Sequence, residues 1–221
     1  MTVIIDTGGR IFPILLVDPP WRTRRWSEKG NGRAPPYPTL TLEEIRTLRL
    51  PADRNAAVFL WTTSAFLEHA ILAMRGWGCA YKSIVTWVKP SIGLGKCFRH
   101  RAEFMLYGTR GRLPPLGKPL SDSVIEAPRR RHSEKPARAY EIIERMYPSL
   151  SKIELFARTQ REGWACWGEE VGGFNPAAGP AAQADGPALQ RRPGRKEQCG
   201  LSTTQSLTES APSPVGSQDL S

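Results

Sequence analysis

A chain of 221 residues, 40% of them hydrophobic, can build one sizeable core, or one domain with an appendage. Its formal charge of +10 points to a polyanion partner or to a solvated basic face, while the apolar run from Ile11 to Val17 is too short, and too interrupted by Pro13, for a membrane span or a secretory leader. Four scattered cysteines, Cys79, Cys97, Cys166 and Cys199, form no C-x-x-C pair and have no clustered His beside them, so neither a disulfide scaffold nor a metal site is expected and the cytoplasm is the natural setting.

In chain order, Pro13 to Val17 reads as a short strand buried on both faces, ending at Asp18-Pro19-Pro20-Trp21. Thr41 and Glu44 form a capping box that opens a helix to about Leu48. Ala56 to Trp61 reads as a second buried strand, and Ser64 as the cap of a helix over Ala65 to Arg75 that Gly76 stops. Tyr81 to Val88 and Glu103 to Tyr107 read as strands, Pro136 opens a helix to about Tyr147, and Lys152 to Ala157 is the last strand. Strands alternating with helices predict a three-layer α/β sandwich with a mostly parallel sheet. Ligands in such sheets bind at the carboxyl ends of strands, where Asp18 and Arg158 both stand. Residues 172–221 contain seven Gly, six Pro and a single aromatic, Phe174, too little apolar surface to offset the ordering entropy. The expectation is a folded domain over residues 1–171 and a disordered tail over 172–221.

The tail carries four basic and four acidic residues, so the whole positive excess lies before it. Lys96 to Arg138 alone holds eleven basic against four acidic residues, interleaved with Phe98, Phe104 and Tyr107. Arg99, Arg101, Arg129, Arg130 and Arg131 are the candidate phosphate contacts, with an unpartnered basic face as the other reading.

Asp18-Pro19-Pro20-Trp21 is the sharpest signal. Proline fixes its own φ and keeps the residue before it out of the helical region, so Asp18 and Pro19 are held extended directly after a buried strand. A carboxylate and a carbonyl beside a flat indole suit a planar substrate with an exocyclic amine, such as adenine or cytosine. Hydrogen bonds from that amine to Asp18 and to the Pro19 carbonyl draw its lone pair out of the ring and towards an electrophilic methyl group. An ordinary turn with a core Trp is the plain alternative.

With Phe59-Leu60-Trp61, Trp87-Val88-Lys89, His132-Ser133-Glu134-Lys135-Pro136, Lys152 to Arg158, Gly163-Trp164 and Trp167-Gly168 following in order, the chain resembles the adenine-N6 methyltransferases. This is the family of the eukaryotic messenger-RNA adenosine methyltransferase catalytic subunit and of bacterial and phage DNA-modifying enzymes. The resemblance covers about residues 11–171, and the Gly93-Leu94-Gly95 to Arg110-Gly111 block looks most like the bacterial and phage branch. It implies a Rossmann-like fold in permuted order that uses S-adenosyl-L-methionine, with Asp18 and Pro19 binding the target amine, Pro20 shaping the loop and Trp21 packing on the flipped base. It also implies that Asp18, Lys135, Phe156 and Arg158 border the cofactor and that Glu169, standing where the family usually has Asn, meets its ribose. Of the family's upstream acidic cofactor residue only Asp6 is a counterpart. Tyr37 is a second aromatic wall for the base or plain loop packing, and Lys89 faces the substrate or snorkels at the surface.

The favoured function is methylation of adenine N6 in nucleic acid, DNA ahead of RNA. The same chemistry on RNA or on cytosine N4, and a catalytically silent nucleic-acid-binding subunit, stay open, as does a protein partner or a homodimer. No membrane association is expected.

Overall fold

A computed structural model of the chain describes residues 3–22, 38–93, 97–117, 122–130 and 134–177. The described residues build one eight-stranded sheet: β1 (Phe12–Val17), β2 (Ala52–Thr62), β3 (Ala80–Val88), β4 (Ala102–Arg110), β5 (Val124–Glu126), β6 (Lys152–Leu155), β7 (Ala165–Gly168) and β8 (Gly173–Asn175), in the order β5-β3-β4-β2-β1-β6-β7-β8. The helices are α1 (Leu42–Arg46), α2 (Leu67–Gly76) and α3 (Ala137–Met146). β1 lies centrally, parallel to β2 on one side and to β6 on the other, with Val17 opposite Leu60 and Leu155.

Alternation along β1 creates two cores. Leu15 and Val17 point to one face with Val58 and Leu60, where Ile45 of α1 and Ala70, Ala73 and Met74 of α2 cover them. Ile14 and Leu16 point to the other with Ala57 and Phe59, under Ala139, Ile142 and Ile143 of α3. Every β1 residue from Ile14 to Val17 is fully buried, as a strand covered on both faces must be. These are the three layers that the sequence predicts.

The sheet is more mixed than the alternation of elements implies. β4 runs antiparallel to both β2 and β3, and β8 antiparallel to β7, whereas β1·β2, β1·β6, β3·β5 and β6·β7 are parallel. Among the described residues the β3–β4 connection carries no helix, and the chain returns antiparallel. The boundary at residue 171 also shifts: Phe174 packs edge-on against Phe12 at 6.4 Å, and β8 finishes the sheet inside the segment expected to be tail. Residues 178–221, the rest of that segment, lie outside the described residues.

The capping box is present: Thr41 Oγ1 accepts from the Glu44 amide at 3.2 Å and Glu44 Oε2 accepts from the Thr41 amide at 2.8 Å. The cap at Ser64 is not. Thr63 precedes a 3-10 turn over Ser64–Phe66, which leads into α2, and the Ser64 hydroxyl is bonded to His100 Nδ1 at 3.1 Å instead. Gly76 is the last helical residue rather than the stop. A Cβ there would overlap Arg46 Cγ and lie 2.8 Å from the Arg46 carbonyl oxygen, so glycine is what lets α2 close on α1.

Candidate functional site

β1 ends at Val17, and the Asp18 amide donates to the Leu155 carbonyl at 3.3 Å, the last rung to β6. Proline at 19 and 20 then stops further pairing, since neither residue has an N–H to give. The loop is fixed by other means. Trp21 N donates to the Pro19 carbonyl at 2.9 Å, Leu40 N to the Pro20 carbonyl at 2.8 Å and Arg22 N to the Leu40 carbonyl at 2.9 Å. The Trp21 indole donates from Nε1 to the Trp61 carbonyl at 3.1 Å and stacks on Phe66, centroids 5.6 Å apart and planes 11° apart.

These groups form one wall of a cleft of about 570 Å³ at the carboxyl ends of the central strands. Asp18, Pro19, Pro20, Trp21, Trp61, Phe66, Glu103 and Lys135 line one part, and Phe156, Ala157, Arg158, Glu169 and Glu170 another. That size falls within the range of small-molecule sites. A separate open cavity is lined by Glu144, Lys152, Arg161 and Trp164; Lys152 and Trp164 belong to the motif blocks, but none of the candidate catalytic, cofactor or substrate residues lines it.

Beneath the cleft runs a chain of alternating charges. Lys135 Nζ sits 2.7 Å from Asp18 Oδ2 and 3.5 Å from Glu103 Oε2, with its side chain only 8% exposed. Lys89 Nζ bonds the other Glu103 oxygen and lies 4.6 Å from the centre of the Trp87 ring. Burial opposes charge on Lys135, yet the Asp18 and Glu103 carboxylates outweigh it and raise its pKa above the ordinary lysine value. Burial likewise opposes charge on Glu103, and Lys135 and Lys89 together hold its pKa below the ordinary value. The two buried ammonium groups and the two partly exposed carboxylates pair along the cleft floor, which holds the Asp18 carboxylate with one oxygen turned to an ammonium.

A second carboxylate, Glu154 on β6, is 9% exposed and accepts from the Tyr140 hydroxyl at 2.9 Å. Burial, reinforced by the charge of Asp18, pushes its pKa up to about 7.

Of the residues named from sequence, Asp18, Pro19, Pro20, Trp21, Lys135, Phe156, Arg158 and Glu169 all line this cleft, although they are scattered over more than 150 positions. Lys89 stands one layer behind it, 3% exposed, so the snorkelling alternative is wrong and its ammonium faces Glu103 rather than the cleft. Arg99, Arg101, Arg129 and Arg130 are exposed, with Arg130 3.6 Å from Glu134 and Arg101 Nε donating to the Lys89 carbonyl at 3.0 Å. Tyr37 and Arg131 lie outside the described residues. Asp6 accepts from the Gly8 amide at 2.8 Å in the irregular segment before β1 and does not line the cleft. The residues that sequence reasoning missed are Phe66, Trp61, Glu103 and Glu170. Phe59-Leu60-Trp61 was visible as a block, but a Trp in a buried strand reads as core, and Glu103 gave no signal beyond its place at a strand start.

By fold and site the molecule is an α/β protein of the kind that binds ligands at the carboxyl ends of its strands, its cleft opening where β1 and β6 end. A profile of the MT-A70 family matches residues 12–170. The chain is 32% identical over 182 residues to the Type II methyltransferase M.MunI of Mycoplasma sp, covering 72% of this chain and 78% of that protein. It is 30% identical over 175 residues to the N(6)-adenosine-methyltransferase catalytic subunit METTL3 of Homo sapiens and 30% over 180 residues to a putative N(6)-adenosine-methyltransferase MT-A70-like protein of Medicago truncatula. Those matches take in 74% and 76% of this chain but only 29% and 28% of the two relatives. The chain belongs to the MT-A70 family, adenine-N6 methyltransferases that use S-adenosyl-L-methionine.

The residues present fit that cofactor. The cleft is roomy enough, Phe156 offers an apolar face, Glu169 and Glu170 are exposed carboxylates of a type that can accept from hydroxyls, Glu170 lying 3.6 Å from Arg158 Nε, and Lys135 provides a buried cation. Phe156 itself adopts φ 63°, the only left-handed non-glycine among the described residues, and so turns the chain away from β6 into the cleft wall. Gly168 permits that wall to close, because a Cβ there would overlap the Ala157 carbonyl oxygen.

Proposed function

We propose that the chain methylates the exocyclic N6 amine of adenine in DNA, as a bacterial or phage modification enzyme. The observation that carries this reading is the Asp18 carboxylate, fixed by Lys135 at 2.7 Å beside the Trp21–Phe66 aromatic pair in a cleft of nucleotide size. DNA is preferred because the Gly93 to Gly111 block resembles the DNA-modifying branch, and a Type II methyltransferase stands among the relatives.

With Oδ2 engaged by Lys135, Asp18 has Oδ1 left to accept one N–H of the amine. The Pro19 carbonyl already accepts from Trp21 N, and its second lone pair accepts the other N–H. Together they pull the amine towards tetrahedral geometry and aim its lone pair. Trp21, locked by its bond to the Trp61 carbonyl, keeps the base in plane. Phe156, Arg158 and Glu169, with Lys135, hold S-adenosyl-L-methionine, which when bound supplies an electrophilic methyl group. The product amine is briefly cationic and strongly acidic, so it loses its proton to water or to Asp18 without a dedicated base. A base paired in a duplex leaves the stack first, at a cost of about a few kcal/mol.

Transfer of labelled methyl to single- and double-stranded DNA and RNA, with nucleoside mass spectrometry, tests the reading. N6-methyladenine in DNA is expected from the wild type and none from Asp18→Ala, with the variant still folded by circular dichroism. Methylcytosine as the product, or wild-type rates from Asp18→Ala, refutes it.

A further inference from the structure

The connection between β3 and β4 carries two apolar side chains that the fold does not use. Phe98 is 79% exposed and Ile92 67%. Single exposed apolar residues are common and need no explanation; the placement of these two is what asks for one. Lys89 N donates to the Arg101 carbonyl at 2.8 Å and Gly93 N to the His100 carbonyl at 3.0 Å, so the two arms stay paired beyond the strands. His100 Nδ1 is bonded to Ser64 Oγ at 3.1 Å, and Ser64 lies between Thr63 and Phe66, both lining the cleft. A Cβ on Gly93 would stand 3.7 Å from the Arg129 guanidinium, which brings that cation to the same arms. Phe98 is therefore two residues from an anchor at the cleft rim, followed directly by Arg99, His100 and Arg101.

We infer that Phe98 is a wedge that enters the base stack of the nucleic-acid substrate beside the target adenine and holds the gap once the nucleotide has swung into the cleft. The inference rests on the adenine reading above. A polyanion offers an exposed phenyl one apolar place to go, between two bases, and Phe and Ile are among the side chains that unstack base steps in this way. The cations around it settle the choice of partner: three of the four residues from Phe98 to Arg101 are Arg or His, all exposed, a setting that suits phosphates on either side of a parted step. A protein surface would meet the same phenyl with fewer charges to desolvate.

Phe98→Ala in the full chain tests this on three substrate pools of the same sequence: fully paired duplex, duplex with each adenine opposite an abasic site, and single strand. The wedge predicts at least a tenfold loss of kcat/KM on the paired duplex and less than a twofold change on the other two, with Phe98→Trp restoring the paired rate. Phe98 touches no core cluster, so an unchanged Tm is expected for both variants. Equal rates on all three pools, or wild-type transfer confined to single strands, overturn the wedge alone. So does an equal loss on all three with a drop in sedimenting mass, which assigns the loop to a subunit interface. No transfer by the wild type to any polymer overturns the adenine reading and the wedge with it.

Discussion

Replacing Glu154 with Gln separates a charge that the fold tolerates from one that it needs. Glu154 is 9% exposed on a strand with both neighbours in place, and burial followed by the Asp18 charge raises its pKa from 4.5 to about 7. A group that holds its proton more tightly when folded contributes its full stability below the unfolded value and loses it as pH rises through the folded one. Here that window runs from about pH 4.5 to about pH 7. That rise corresponds to roughly 3 kcal/mol, most of which falls between pH 5 and pH 8. Gln keeps the acceptor for the Tyr140 hydroxyl and never ionises. The variant is thus expected to gain roughly 2–3 kcal/mol on the wild type between those two pH values, read from urea unfolding at each. A difference between the two proteins that does not change with pH refutes the assignment, and one that shrinks as pH rises reverses its sign.

Two further outcomes follow from the geometry. Gly168→Ala places a Cβ against the Ala157 carbonyl oxygen and 2.8 Å from the Ala157 nitrogen, so β6 and β7 must part where the cleft wall begins; a loss of about 1–3 kcal/mol in unfolding free energy is expected, with weaker S-adenosyl-L-methionine binding by calorimetry. Unchanged binding would show that this wall is not part of the cofactor site. Arg129, Arg130 and Arg131 changed together to Ala should weaken DNA binding and reduce the slope of log K against log salt by about 0.9 for each phosphate that is no longer neutralised. An unchanged slope returns those residues to a solvated face.

Much of the fold was legible because buried strands and capped helices write their periods locally. Phe12–Val17, Leu42–Arg46, Ala80–Val88 and Ala137–Met146 fall within a residue or two of the spans read from sequence. β5, β7 and β8 were missed, being three or four residues long and short of any period to detect. β2 was read too short, since Ala52 to Asn55 is polar and half-exposed, and its pairing to β1 and β4 is a tertiary fact. The cleft-lining set from Asp18 to Glu169 came from ordered motif blocks rather than from periodicity. Glu103 and Phe66 could not be found that way. Their importance lies in what stands opposite them, Lys135 and Trp21, and a sequence does not print opposition across space.

The central position of β1 has a consequence for synthesis. Its partner on one side, β2, follows within 35 residues, whereas Lys152, where β6 starts, comes 135 residues after Val17. At about 5–20 residues per second that gap lasts roughly 7–27 s, during which one edge of a fully apolar strand has no native neighbour. An open apolar edge recruits other chains. The nascent protein thus carries an open apolar edge throughout that interval, and slowing elongation between β2 and β6 should lower the soluble yield even though it leaves the sequence, and the finished fold, unchanged.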